Sequence, residues 1–353
     1  MAQAARREMG GRKPWQADYG QGEHTIDCDQ LGFLDEQALT DRLVQTFDSP
    51  GYHPPRLPEV ATELLALSQD PDVEFRRIES LLERDAMLAG EVLSVARSAF
   101  YARSGSVVLL REALSRVGLE KLRGIVMQAA MTLRVFRSAS YRGWMERLQA
   151  HCLATAHVAR FVSRHTPIPE EQAFLCGLLH DVGIAGILLV LGDVGRGKQP
   201  PALDVLWPAI HAAHPKAGAR MVQLWGLPPD LALAVGAHHQ VRIEKFDHPL
   251  AAANCLAEAL TAELDMALVP AGDGGELKAE LAGSPLPLQG RIDQSDALTL
   301  ERARGALALT DSTLDRIRSD AREWARASET PTPASEARMR IGHSGGHARG
   351  GGR

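Results

Sequence analysis

Phe174 to Gly186 reads FLCGLLHDVGIAG. An apolar helix, LLxGLL in outline, is expected to deliver His180 and Asp181 side by side at its C-terminal end, with Gly183 letting the backbone turn sharply. Unpaired carbonyls and the helix dipole add negative potential at such an end, which favours a cation beside the carboxylate. The same pair also fits an ordinary helix terminus with an Asp cap. What surrounds it decides between the two.

Working outward, nine of the 13 histidines fall between His151 and His248. His151 sits in QAHCLATAHVARFV, an amphipathic helix anchored by Leu153, Ala154, Val158 and Phe161. His214 opens HPKAGARMVQLWGLP, and His238-His239 end the helix LALAVGAHHQ. Glu258 lies in LAAANCLAEAL, where a lone carboxylate is out of place unless something pairs with it. Imidazoles and carboxylate oxygens without a thiolate suit a divalent ion such as Mn, Fe or Mg, one or two of them. Bland readings stand beside this one. His214 can serve as an N-terminal cap partner before Pro215, His239 can be a surface residue, and Glu258 can pair with an Arg or Lys. His157, His165, His211 and His248 are read as boundary or surface residues.

The rest of the chain is read as helical. In LPEVATELLALSQD the residues Leu57, Val60, Leu64 and Leu67 keep the three/four spacing of one helix face. Two short helices follow that break near Asp85, then a stripe through Leu109, Leu110, Ala113, Leu114 and Val117, a turn at Gly118, and a stripe through Leu122, Ile125, Val126 and Ala129. No run alternates as a strand should. Residues 1–30 read as a disordered leader, 265–296 as a Gly/Pro/Asp-rich loop, and 330–353 as a disordered Gly/Arg/Pro tail. Leu298 to Ala327 is expected to form two helices separated by an N-cap at Thr310-Asp311.

Across 353 residues, 39 Lys and Arg face 44 Asp and Glu, so no global basic surface exists and a nucleic-acid partner is not expected. The longest apolar run, Ile184 to Leu191, is far short of a membrane span, and no secretory signal opens the chain, so the expected setting is cytoplasmic. The four cysteines are widely spaced without a CxxC pair; Cys152, Cys176 and Cys255 read as buried thiols. Trp207 and Trp225 read as core or interface anchors. Arg97, Ser98, Phe100 and Tyr101 read as packing and capping at a helix end rather than as a binding site.

The order H…HD…H…HH followed by a carboxylate, in an all-helical frame, resembles the HD phosphohydrolase superfamily. RDAMLAGEVLSVARSAFY, REALSRVGLEKLR, GLLHDVG and HPKAG…LWGLP…HHQ, in that order, are similar to the HDOD domain, a bacterial signalling relative of the HD and HD-GYP proteins. The resemblance implies an all-α fold in which an N-terminal helical lobe (31–137) packs on an HD-like lobe (138–329). It implies metal ligands at His151, His180, Asp181, His214, His238 and His239, with Glu258 in place of the usual final Asp. Asp181 would be the central ligand, and His238 or His239 the general acid if the protein is an enzyme. The chain departs from the HD-GYP pattern in having Ile184 where many relatives carry Lys, in lacking a GYP segment, and in that Glu. The function implied is a regulatory module whose HD cleft senses a small anionic ligand or engages a signalling partner. The alternatives are a metal-dependent phosphodiesterase acting on a nucleotide or cyclic dinucleotide, and a scaffold with a vestigial site.

Overall fold

The computed structural model describes residues 34–67, 74–96, 115, 117–194, 199–268 and 294–329. The chain runs α1 (Glu36–Asp48), α2 (Glu59–Leu67), α3 (Phe75–Leu82), α4 (Ala86–Ala96), α5 (Leu119–Arg134), α6 (Arg142–Ser163) and α7 (Glu170–Leu179). It continues through α8 (Val182–Gly192), α9 (Leu203–Leu224), α10 (Pro229–Gly236), a β1 (Arg242–Ile243) and β2 (Phe246–Asp247) hairpin, α11 (Pro249–Ala262), α12 (Gln294–Ala306) and α13 (Asp311–Glu329). The hairpin is a short exception to the all-helical expectation: Ile243 pairs with Phe246, and Glu244 takes a positive φ of 57° in the turn. The leader, the tail, most of the 265–296 loop, the stripe at Leu109–Leu114, and Arg97, Ser98, Phe100 and Tyr101 lie outside the described residues.

Local chemistry places the helix ends. Asp35 caps α1 by accepting from the Ala38 amide at 2.8 Å. Asp85 separates α3 from α4, its Oδ1 accepting from the amides of Met87 and Leu88 at 3.1 and 3.0 Å. Thr310 caps α13 through the Thr313 amide at 3.2 Å. Proline opens both α10 and α11, where its missing N–H costs nothing.

Two apolar clusters result. The smaller joins α2, α3, α4 and one face of α5 through residues such as Leu64, Ile78, Leu88 and Ile125. The larger gathers α6 to α11 with α12 and α13, and it also takes in Leu39, Leu43 and Phe47 of α1. Helix α1, which precedes the first lobe in sequence, therefore lays its apolar stripe in the second lobe's core. Met127 and Met131, on the other face of α5, belong to that larger core too, so α5 is the shared wall. Trp225 is the anchor the sequence reading expects, its Nε1–H donating to the Pro55 carbonyl at 3.0 Å across the lobes.

Helices α7 and α8 are the spine. Glu170–Gly192 is long and apolar enough, by length and composition alone, to cross a membrane, but 83% of its most apolar window is buried in the bundle. The polar pair His180-Asp181 interrupts it at its middle.

Candidate metal centre

Six helices, α6 to α11, converge on that interruption. His180 closes α7 and Asp181 precedes α8, where it makes no side-chain capping bond, so the ordinary-cap reading fails. Its carboxylate instead faces four imidazoles. Oδ2 lies 3.6 Å from His151 Nε2 and 3.3 Å from His180 Nε2. Oδ1 lies 3.3 Å from the Nε2 atoms of both His214 and His238. All five side chains are 5% exposed or less.

Gly183 has a role other than the expected sharp turn. It lies inside α8, and a Cβ there would stand 2.0 Å from the His214 carbonyl oxygen and 2.6 Å from the Gly218 amide nitrogen. Its missing side chain lets α8 and α9 touch backbone to backbone, which brings His214 within reach of Asp181. His214 is in the middle of α9, not at its start, so the cap-partner reading is also overturned. Continuity through Pro208 and Pro215 is what hid this in the sequence.

The ring orientations are held from behind. Nδ1 of His151, His180, His214 and His238 meets the backbone carbonyls of Met266, Gly177, Ile210 and Val235 at 3.0, 2.8, 3.3 and 2.7 Å. A carbonyl only accepts, so each Nδ1 carries a proton, and each ring when neutral presents a bare Nε2 lone pair to the centre. Those lone pairs face one another: His151 to His180 at 3.2 Å, His214 to His238 at 3.1 Å, and His239 Nε2 to His214 at 3.1 Å. Asp181 Oδ1 has no hydrogen-bond donor. Acceptors crowded on acceptors in a buried site call for positive charge between them.

The ligand atoms divide into two groups, each within 4.8 Å throughout: His151, His180 and Glu258, and His214, His238 and His239. Asp181 offers one oxygen to each, the arrangement of a bridging carboxylate. Ions with metal–nitrogen bonds of roughly 2.1 Å hold their ligands about 3.0–3.4 Å apart, the range of the 3.2, 3.1 and 3.1 Å contacts between the histidines. The residues therefore fit one or two divalent ions. Glu258 completes this ring, its Oε2 3.8 Å from His239 Nδ1. The seven residues singled out in the sequence meet at one place.

Protonation follows from burial. Burial pushes His151 down to about 4, aided by the neighbouring His180, and pushes His238 down to about 4 as well. Burial, with His238 and His214 beside it, lowers His239. Burial opposes charge on His180 too, but the charge and hydrogen bond of Asp181 more than offset it and hold His180 up at about 9. Burial works against the charge on Asp181, but the neighbouring His180 outweighs it and holds the carboxyl well below the carboxylate range. Without metal, the centre keeps one proton on His180 against Asp181.

Three of the histidines set aside as boundary or surface residues have structural work. His157 is buried, stacked on Trp324 of α13 at 4.7 Å with Phe174 edge-on at 5.3 Å. Next to it, Arg160 and Glu171 form a wholly buried ion pair at 2.9 Å, with the guanidinium 4.0 Å above Phe174. His248 caps α11 and donates from Nε2 to Asp230 at 3.0 Å. His211, exposed on α9, stacks on His239 with centroids 5.2 Å apart. Its spacing of three before His214 on one helix was the available signal. Cys152, Cys176 and Cys255 are buried as expected, and the Cys255 thiol donates to the His238 carbonyl at 2.7 Å.

Comparison with known proteins places this geometry. The HDOD domain family matches residues 54–241. A relative from Treponema pallidum, an uncharacterized protein, is 25% identical over 198 residues; the match spans 53% of this chain but only 38% of that protein's length. Among solved structures, an HDOD domain protein of unknown function from Geobacter sulfurreducens superposes with a TM-score of 0.56 at 20% identity, over 81% of this chain and 98% of that one. A Shewanella amazonensis protein, provisionally described as a metal-dependent phosphohydrolase, superposes with a TM-score of 0.54 at 17% identity, over 77% and 99%. The likeness in structure carries the fold, and the family match covers more than half of the 353 residues, including every histidine of the centre. The chain belongs to the HDOD domain family.

Proposed function

We infer that the protein is a regulatory HDOD module whose HD cleft binds two divalent ions and takes a small anionic ligand as its input. The observation that carries this reading is the set of inward-facing Nε2 lone pairs, each fixed by a backbone carbonyl behind it, around a carboxylate oxygen without a donor. His151, His180 and Glu258 would hold one ion, and His214, His238 and His239 the other, with Asp181 between them. A bound ion supplies Lewis acidity and an acidified water. The chain itself supplies preorganisation: none of the four imidazoles backed by a carbonyl has to change tautomer at Nδ1, and of these only His180 has to give up a proton. Ile184 favours regulation over turnover, since it is 2% exposed within the apolar core and places no cationic group at the cleft.

The second reading, a metal-dependent phosphodiesterase, draws support from the completeness of the ligand set and from its accessibility. His239 and Glu258 are 35% and 28% exposed, so the centre has an open side. In that case the fully buried His238 is poorly placed to protonate a leaving group, which would depart on the open side by His239 and Glu258.

Metal analysis of purified protein, followed by a hydrolysis screen of phosphodiesters, nucleotides and cyclic dinucleotides with Mn, separates the readings. Two ions per chain without turnover is the expected result. Turnover that disappears in Asp181→Asn moves the assignment to hydrolase. A protein that takes up no metal leaves the scaffold reading in its place.

A further inference from the structure

We propose that Arg147 is a positioning residue for the first half of the centre: by holding the segment that leaves α11, it keeps the Met266 carbonyl aimed at His151 and so tunes the affinity for the ion assigned to His151, His180 and Glu258. This rests on the dinuclear reading above and adds to it a residue that is not itself a ligand. The four carbonyls behind the rings are not alike. Gly177, Ile210 and Val235 lie three or four residues before the histidines they hold, so His180, His214 and His238 are each oriented by the helical turn that precedes them. His151 instead relies on Met266, 115 residues away and beyond the end of α11 at Ala262. Carbonyls inside a helix are fixed by its hydrogen-bond ladder, and one beyond the helix end has to be held by something else.

The segment is held on both sides of that carbonyl. Upstream, α11 ends in a Schellman turn: the Met266 amide donates to the Thr261 carbonyl at 3.3 Å and the Asp265 amide to the Ala262 carbonyl at 3.1 Å, with Asp265 at a positive φ of 58°. These bonds fix the Met266 amide. The Met266 carbonyl belongs to the next peptide plane, whose direction the Schellman bonds leave undetermined. Downstream, Arg147 Nη2 donates to the Leu268 carbonyl at 3.3 Å, and the Leu268 side chain is buried in the larger core. Arg147 precedes His151 by four residues on α6, so the two side chains share one face of that helix and grip carbonyls two residues apart. A guanidinium carries the same sign of charge as a metal ion, so on charge alone Arg147 would weaken metal binding. Positioning and charge therefore predict opposite effects of its removal.

The test is Mn binding to the metal-free full chain, resolved into its two steps by calorimetry, with His151→Ala identifying the step that belongs to the first half. Arg147→Met is expected to weaken that step about tenfold, the lower end of what partners behind metal ligands contribute, and to leave the other step unchanged. Arg147→Lys, which keeps a donor and the charge, is expected to recover part of the affinity. Urea midpoints of both metal-free variants should stay near the wild-type value, which separates positioning from general stabilisation. Unchanged Mn affinity in Arg147→Met overturns the proposal, and so does tighter binding, which would mean that Arg147 acts through its charge. Equal weakening of both steps with a lowered urea midpoint also overturns it, while leaving the dinuclear reading intact. Wild-type protein that binds no Mn, or one ion only, fails the dinuclear reading itself, and the role of Arg147 falls with it.

Discussion

At the scale of single residues, Asp181 and Gly183 do most to make the centre. Asp181 sets one carboxylate oxygen against histidines of each half, so in the proposed dinuclear centre its charge would serve both ions. Asp181→Asn is expected to abolish binding of both ions, whereas His151→Ala should remove the ion held by His180 and Glu258 and spare much of the other. Elemental analysis of the two variants checks this, and equal losses would show that the halves do not share a bridge. The HD pair was evident from its setting between apolar helices. What Gly183 does was not, because a glycine needed for a turn and one needed for backbone contact look identical until the second helix is in place.

At the scale of elements, α6 and α7 meet around the buried Arg160–Glu171 pair. Burial raises the Glu171 pKa, against the pull of Arg160, so the carboxylate depends on its partner to stay charged. Removing one partner of a buried pair typically costs about 3–5 kcal/mol, while replacing both with apolar groups is often neutral. Arg160→Met alone is therefore expected to lower unfolding stability by about 3 kcal/mol, and Arg160→Met with Glu171→Met should recover most of it. A double-mutant cycle in urea reads the coupling; additive losses would mean that the two side chains act separately. Neither residue stands out in the sequence, since an Arg and a Glu eleven positions apart on different helices carry no periodic signal. Helix caps, by contrast, are local: Asp85 and Thr310 were recognisable because each bonds amides within three residues of itself.

At the scale of the whole molecule, the buried histidines tie stability to pH. His157, His151 and His238 all titrate lower in the folded chain, first because of burial. The unfolded chain, with histidines near 6.5, takes up protons below that value that the folded chain refuses, so metal-free stability falls as pH drops from about 6.5 toward 4. Each such group adds up to about 1.4 kcal/mol per pH unit to that slope. His180, held up at about 9, works oppositely: its contribution is complete below about 6.5 and is lost as pH rises through 9. Denaturant midpoints of metal-free protein should therefore peak near pH 6.5, falling on the acid side with the buried neutral histidines and declining toward 9 on the basic side with His180. His157→Phe, which keeps a ring against Trp324, should flatten the acid limb by about 1.4 kcal/mol per unit. An unchanged acid slope in that variant would show that His157 is already charged in the folded chain.

The amino-acid sequence by itself determined the helical class and the helix ends with local caps, and its likeness to the HD superfamily pointed to the seven residues that gather at the candidate centre. Those features are written in spacing, and spacing survives without a fold. Only the tertiary structure decided that α1 belongs to the larger core, that α9 runs unbroken through His214, that His157 is buried, and that His211 stands beside the open side. Each of these depends on which surfaces meet. Contacts between distant segments are set by close packing across the bundle, and no short-range pattern encodes them.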